Sequence, residues 1–369
     1  MNDIFNGVFR GRTVLVTGHT GFKGAWLSLW LTEMGARVVG FSRDIPSEPS
    51  LFTILGLKDI ITDIRGDICD AKAIAKSVVD AKPEFVFHAA AQSLVRRSYN
   101  DPVDTFATNV MGTLNVFEAV RAANIPSVLI AITSDKCYEN REWIYGYRET
   151  EAFGGHDPYS ASKGCAEILT ASYRRSYFSA VDAAVKLASV RAGNVIGGGD
   201  WAPDRLIPDC IRSLSAGKDI SIRNPEAVRP WQHVLEPLSG YLWLASQLSR
   251  DASYAEGWNF GPADDAVLTV KDVVSRIIRA WGAGVMHIDT AEHVHEAKLL
   301  TLDTAKARRR LAWHAAYDAH DAIEKTVSWY REYYIAKNAD MKKYTRSQIS
   351  DYVKTAQAKG LAWASGAGV

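Results

Sequence analysis

No apolar run in the 369 residues approaches the roughly 20 that a membrane-spanning helix needs. Cysteine is scarce: Cys69, Cys137, Cys165 and Cys210 stand alone, no CxxC pair occurs, and no disulfide is required. Charge of one sign is missing too. Lys and Arg number 43 against 42 for Asp and Glu, a net charge of +1. That excludes the basic surface of a nucleic-acid binder and an electrostatic membrane partner. There is no internal repeat and no low-complexity tract. The opening "MNDIFNGVFRGRTVLV" lacks the basic and apolar order of a signal peptide, so a reduced, cytoplasmic setting is expected. What remains is an ordinary globular composition, 47% hydrophobic and 23% charged. The chain is long enough for one large domain or two coupled ones.

The first informative stretch is "RTVLVTGHTGFKGAWLSLWLTEMGA". A short apolar strand, Thr13 to Thr17, runs into Gly18, Gly21 and Gly24 at GxxGxxG spacing, and a helical pattern with Trp26, Leu27, Leu29, Trp30 and Leu31 follows. Glycines at such a bend allow a tight turn and let a phosphate approach the helix N-terminus, where unpaired N–H groups favour an anion. The position between a strand and a helix is what makes the triplet a dinucleotide-binding signal.

The rhythm then continues as strand and helix in alternation. "ARVVGF", "PEFVFHAAA", "SVLIAITS" and "VKLASVRAGNV" read as strands; "DPVDTFATNVMGTLNVFEAVRAA" and "YSASKGCAEILTASYRRSYF" read as helices. The expected fold is α/β, a Rossmann-type doubly wound parallel sheet with a smaller C-terminal substrate-binding domain. A dinucleotide-binding domain is expected over 1–191, with segments near 228–262 returning to it. A substrate domain is expected over 192–335 and a helical tail with a frayed end over 336–369. Ligands of such sheets bind at the carboxyl ends of the strands. Residues 89–92, 133–136 and 191–194 should therefore meet in one crevice. The helix carrying Val103, Phe106, Ala107, Val110, Leu114 and Phe117 is apolar over more than one sheet contact requires, and a homodimer is expected.

"YSASK" places Tyr159 and Lys163 four apart on one helix face. A phenol titrates near ~10 and a lysine near ~10.4 when unperturbed. A neighbouring ammonium and an oxidised nicotinamide both favour phenolate, which suits Tyr159 to act as a base near neutral pH. Ser134 ends the preceding strand, and Asp135 and Lys136 follow it. Asp67, in "GDICD", is a candidate for the adenine end of a dinucleotide; Asp70 is the better helix cap. The second strand ends in Ser42 and Arg43, where an NAD enzyme often carries an acid, so Arg43 leaves room for the 2′-phosphate of NADP.

These motifs in this order resemble the extended short-chain dehydrogenase/reductase superfamily over roughly residues 10 to 330. Asp135 after Ser134 marks the nucleotide-sugar 4,6-dehydratases, most of which have "TDE" where this chain has "SDK". With "GHTGFKG", "HAAAQSLVRRSY", "SDKCYENREW", "GGHDPYSASKG", "RAGNVIGGGDWAPDRLIPD" and "RPWQHVLEPLSGY", the chain resembles the branch acting on CDP-glucose. The resemblance implies oxidation at carbon 4, loss of water across carbons 5 and 6, and hydride return to carbon 6, with NAD recycled in the site. It implies that NAD lies on Gly18, Thr20, Gly21, Phe22, Lys23, Gly24, Arg43, Asp67, Ile68, Ala89, Ala90, Ala91, Asn109, Thr133, Tyr159 and Lys163. Ser134, Asp135, Lys136, Tyr159 and Lys163 would be catalytic, with Asp135 as the acid and Lys136 where the carbon 5 base would stand. A salt bridge to Asp135 that merely shapes the pocket is the other reading of Lys136. Gln92, Ser134, Asn194, Arg205, Arg229 and His233 would hold the substrate, Arg229 suiting a pyrophosphate.

A nucleotide-sugar 4-epimerase would keep Tyr159, Lys163 and Ser134 but has no use for Asp135 and Lys136. A redox-silent NAD-binding regulator would be expected to lose Tyr159 or Lys163. "EHVHE", with His293, His295 and Glu296, has no further partner at metal spacing, so no metal is expected.

Overall fold

The computed structural model describes residues 3–180, 183–262, 267–289 and 299–365. Seven strands form one sheet: β1 (Thr13–Thr17), β2 (Arg37–Ser42), β3 (Thr62–Arg65), β4 (Phe85–His88), β5 (Ser127–Ile132), β6 (Val185–Arg191) and β7 (Gly257–Asn259). Their spatial order is β3-β2-β1-β4-β5-β6-β7, and every neighbouring pair is parallel. The doubly wound sheet expected from the sequence is therefore present. The reversal of strand order falls between β1 and β4, so the crevice opens there, at the carboxyl ends.

The longer helices are α1 (Phe22–Glu33), α2 (Ala71–Ala81), α3 (Thr113–Ala123), α4 (Pro158–Ser176), α5 (Leu206–Ser215), α6 (Leu235–Arg250), α7 (Val270–Trp281), α8 (Ala319–Tyr334) and α9 (Met341–Ala358). β3 was not foreseen. Its "TDIR" is short, polar everywhere but Ile64 and only half-buried, as an edge strand is. The helix expected over 101–123 is broken into Pro102–Phe106, a π-helical turn Ala107–Gly112, and α3. π turns of this kind gather at functional sites, and this one carries Asn109.

α1 is apolar on all sides, and such a helix must be covered on all sides. One face lies on the sheet. The other is closed by the two ends of the chain: Trp30 packs edge-on against Phe5, Tyr352 and Trp363, while Phe5 stacks on Trp363 at 5.1 Å. α9 buries Ile349, Tyr352, Val353 and Ala356, the positions at helical spacing in its sequence. α6 lies across β5 and β6, and its Glu236 is sealed beneath α9. Glu236 accepts from Tyr352 Oη at 2.8 Å and from the Ala316 and Tyr317 N–H groups at 3.0 and 2.6 Å. Burial pushes the Glu236 carboxyl up to about 7 against those donors.

The last long helix is thus part of the core. Tyr352→Phe removes one donor from a buried carboxylate and should cost about 1–3 kcal/mol in denaturant unfolding followed by tryptophan fluorescence. An unchanged midpoint would mean that α9 is only loosely attached.

Candidate active site

Local structure explains why the glycine loop is open. Gly18 has φ +77°, and a Cβ there would lie 2.7 Å from Ala90 N; one on Gly24 would lie 2.1 Å from Gly18 O. β1, α1 and the end of β4 therefore meet without side chains between them, and the α1 N-terminus faces a cavity of about 1120 Å³. That cavity is lined by Gly18, Thr20, Gly21, Phe22, Lys23, Gly24, Arg43, Asp67, Ile68, Ala89, Ala90, Ala91 and Thr133 on one side. Ser134, Asp135, Lys136, Tyr159, Lys163, Gln92, Asn194, Arg205 and Arg229 line the rest. Bare backbone at the helix N-terminus beside a groove of this size fits a dinucleotide phosphate.

Two expected site residues lie elsewhere. Asn109 sits behind the wall: its Oδ1 accepts from Gln92 N at 2.8 Å, and its Nδ2 donates to Gln92 O and Ser162 Oγ, both at 2.9 Å. It fixes the strand-end segment to α4 and does not line the cavity. His233 is fully buried between Trp26 and Tyr317. Desolvation pulls its imidazole down to about 3, so it is a neutral core residue. The segment with His293, His295 and Glu296 lies outside the described residues. Among the described residues no group of three His, Cys, Asp or Glu side chains is placed to hold a metal.

The helix bearing Tyr159 is set by its cap. Asp157 accepts from Ser160 N at 2.9 Å, Pro158 occupies the first turn, and Tyr159 N donates to Ser98 Oγ at 3.1 Å. Burial pushes the Tyr159 phenol up to about 12, opposed by a hydrogen bond from Ser134 and the nearby Arg205 charge. Burial also pulls Lys163 down to about 8, opposed mainly by Glu167 one helical turn further on. Arg205 is pinned by Asp200 at 2.8 Å and reaches Ser93 Oγ at 3.2 Å. Its charge also acts on Tyr159, a proximity that needs the fold to bring residue 205 to residue 159.

Asp135 and Lys136 are adjacent in a single 3₁₀ turn, Asp135–Cys137. Asp135 is buried, accepts from Ser134 Oγ at 2.9 Å, and leans over Gly193, where a Cβ would lie 1.8 Å from its Oδ2. No ion pair joins it to Lys136, which faces the cavity half-buried. The reading of Lys136 as a salt-bridge partner therefore lacks its bridge. Lys23 was assigned to the cofactor, yet its amine also feels Arg205, Asp135, Lys163 and Asp200, and burial pulls it down to about 8.

The model of the family described as GDP-mannose 4,6 dehydratase matches residues 15–326. A CDP-glucose 4,6-dehydratase of Salmonella typhimurium is 49% identical over 350 residues, covering 94% of this chain and 97% of its own. The dTDP-glucose 4,6-dehydratase 1 of Escherichia coli is 25% identical over 350 residues, covering 86% and 92%. In structure, the chain resembles a dTDP-glucose 4,6-dehydratase of Streptomyces venezuelae with NAD and TYD bound (TM-score 0.75, 22% identity, covering 87% of this chain and 97% of that one). It also resembles a UDP-glucose-4-epimerase of Stenotrophomonas maltophila with bound NAD and formylated UDP-arabinopyranose (TM-score 0.76, 23% identity, 88% and 99%). At these identities the two structures establish the fold alone.

The Ser42–Arg43 corner makes its own prediction. The Arg43 guanidinium meets Asp44 at 3.4 Å, Asp67 at 3.3 Å and Asp104 at 3.5 Å. Asp104 also pairs with Arg97 at 3.0 Å, so three carboxylates face two cations; the corner keeps a net negative charge, and a ribose 2′-phosphate would be disfavoured there. Calorimetric titration should find NADP at least about tenfold weaker than NAD, a difference within the range of a close like-charge contact, and Asp44→Asn with Asp104→Asn should narrow it. Equal affinities in the unaltered protein would show that Arg43 is free to take the phosphate.

Proposed function

The chain belongs to the GDP-mannose 4,6-dehydratase family, and from that premise we propose that it converts CDP-glucose to CDP-4-dehydro-6-deoxyglucose. The observation that carries the reading is the company of two sets of groups in one cavity: Ser134, Tyr159 and Lys163 for oxidation, and Asp135 with Lys136 for loss of water. The choice of CDP-glucose rests on the 49% identity to the Salmonella typhimurium relative. When bound on the glycine loop, NAD supplies the two-electron acceptor at carbon 4, gives the pair back at carbon 6, and adds a positive charge near Tyr159.

Tyr159 takes the proton of the 4-hydroxyl. Its phenol is protonated at rest near neutral pH and must first release that proton to solvent, which the cations around it favour: Arg205 lowers it directly, and Lys163 holds a second charge on the same helix face. The ketone at carbon 4 acidifies the proton on carbon 5. Lys136, as the free amine, removes that proton, and Asp135, as the neutral acid, protonates the departing 6-hydroxyl; the lysine ammonium then returns a proton to carbon 5 as carbon 6 is reduced, and the proton that Tyr159 took restores Asp135 by way of solvent. Asp135 is held in place for the acid role by its hydrogen bond from Ser134. Arg229, on the cavity wall, suits the pyrophosphate, and Asn194 and Gln92 line the sugar side.

The exposed faces of Val103, Phe106 and Met111 adjoin Cys165 in an apolar groove, with Ile168 exposed nearby on α4. A second copy of the chain laid on this face would cover it, and we read the protein as a homodimer. Four unpaired thiols fit a reducing cytoplasm, and among the described residues no helix is long and apolar enough to cross a membrane.

Incubation with the glucose conjugates of CDP, dTDP, UDP and GDP tests the reading. The CDP conjugate should give a base-sensitive keto-sugar fastest, with no net consumption of NAD. Preferential turnover of another conjugate, or reduced cofactor released in step with product, would contradict it.

A further inference from the structure

Behind the cavity wall lies an ion pair that the reaction does not touch. Glu167 lies four residues beyond Lys163 and eight beyond Tyr159, so all three share one face of α4. Its carboxylate and the Arg191 guanidinium are 2% exposed. Arg191 donates from Nε to Oε1 at 2.8 Å and from Nη2 to Oε2 at 2.7 Å, a bidentate pairing. Ser189 Oγ donates to Oε2 at 2.7 Å, and Thr133 Oγ1 donates to Oε1. The remaining guanidinium nitrogen donates to Tyr138 Oη, and the cation lies over the Tyr138 and Phe153 rings at 5.2 and 4.9 Å.

Each donor sits next to a working part of the site. Thr133 follows β5 and leads into Ser134 and Asp135. Arg191 ends β6 and leads into Gly193, the residue over which Asp135 leans. The carboxylate thus joins β5, β6 and α4 where their reactive groups leave the scaffold. Among the described residues, Glu167 is the carboxylate that favours the charged form of the Lys163 amine. Cys137 acts on it from the 3₁₀ turn; His88, held between Thr17 and Thr113, and Lys23 on α1 feel its charge in turn.

We propose that Glu167, clamped by Arg191, is a positioning residue that keeps the Lys163 ammonium charged and holds the ends of β5 and β6 in register with α4. The inference deepens the proposed reaction, because Lys163 matters only if Tyr159 is the base. Glu167 favours the charged form, so it extends the pH range over which Lys163 is an ammonium. Without Glu167 that range closes at lower pH.

The test reads Lys163 itself in the purified full-length protein. Acetylation by acetic anhydride, followed by peptide mass analysis across pH, gives the midpoint at which the amine becomes reactive, whatever sugar the enzyme accepts. In Glu167→Gln the midpoint should fall by about one to two pH units, the scale of a close opposite charge, and Glu167→Asp should restore most of it. Arg191→Met removes the cation that keeps the buried Glu167 carboxylate charged, so the midpoint should fall there as well, and Arg191→Lys should restore much of it; a general loosening of the fold would not be rescued by the two conservative variants. If the single variants do not fold, the double Glu167→Gln/Arg191→Met serves, since replacing both partners of a buried pair is often tolerated; its midpoint should still fall, by less. The alkaline limit of keto-sugar formation should follow these shifts. A folded Glu167→Gln or double variant with the wild-type midpoint would overturn the proposal, and loss of turnover on CDP-glucose alone would not.

Discussion

A buried carboxylate with four donors ties the carboxyl ends of β5 and β6 to α4, and the site is arranged around that knot. Glu167 and Arg191 are out of water together, with their hydrogen-bonding capacity filled by Ser189, Thr133 and Tyr138. A buried ion pair is weak evidence for added stability, because desolvation offsets the attraction. Its value lies in geometry. A bidentate fork admits little sliding, so the Ser134–Lys136 turn, Gly193 and Lys163 keep their mutual positions.

Burial is also what gives the groups around the cavity their chemistry. The amines of Lys23 and Lys163 are both pulled down to about 8 by desolvation, while the Tyr159 phenol is pushed up to about 12. The same loss of water moves acids and bases toward their neutral forms. The reaction proposed for this cavity needs Tyr159 to lose and regain its proton. Fixed charges, Arg205 on Asp200 and Lys163 beside Glu167, then decide which form prevails where. Arg43 serves the opposite purpose: ringed by three carboxylates, it leaves its corner acidic overall.

Local patterns in the sequence exposed most of this. The glycine loop, "HAAAQ", "TSDK" and "YSASK" are each short and contiguous, and each stands at a strand end or helix start, so reading them placed their side chains in one crevice. What was hidden depends on contacts between distant segments. Asp104 reaches Arg43 from a helix 61 residues on, and Arg205 acts on Tyr159 from beyond β6. His233 resembles a site residue by its polar neighbours, yet β-bridging with Ile196 turns it into the core. Asn109 shares a buried polar network with Gln92 and Ser162, and only the π turn shows that it faces the wall. The edge strand β3 escaped notice because half-exposed "TDIR" has no apolar run. The role of the tail was legible in hindsight from α1, whose apolar circumference demanded a cover.

The central claim is that Lys136, which forms no ion pair with its neighbour Asp135, is the base at carbon 5. The most direct measurement is solvent deuterium entry at carbon 5 of the substrate in Lys136→Met. Ser134, Tyr159 and Lys163 are untouched in that variant, so the carbon 4 ketone should still form. Deuterium should fail to enter carbon 5, and turnover should fall by about 10²–10⁴-fold, the usual cost of losing a general base. A variant that forms the ketone and exchanges carbon 5 at the wild-type rate would contradict the account.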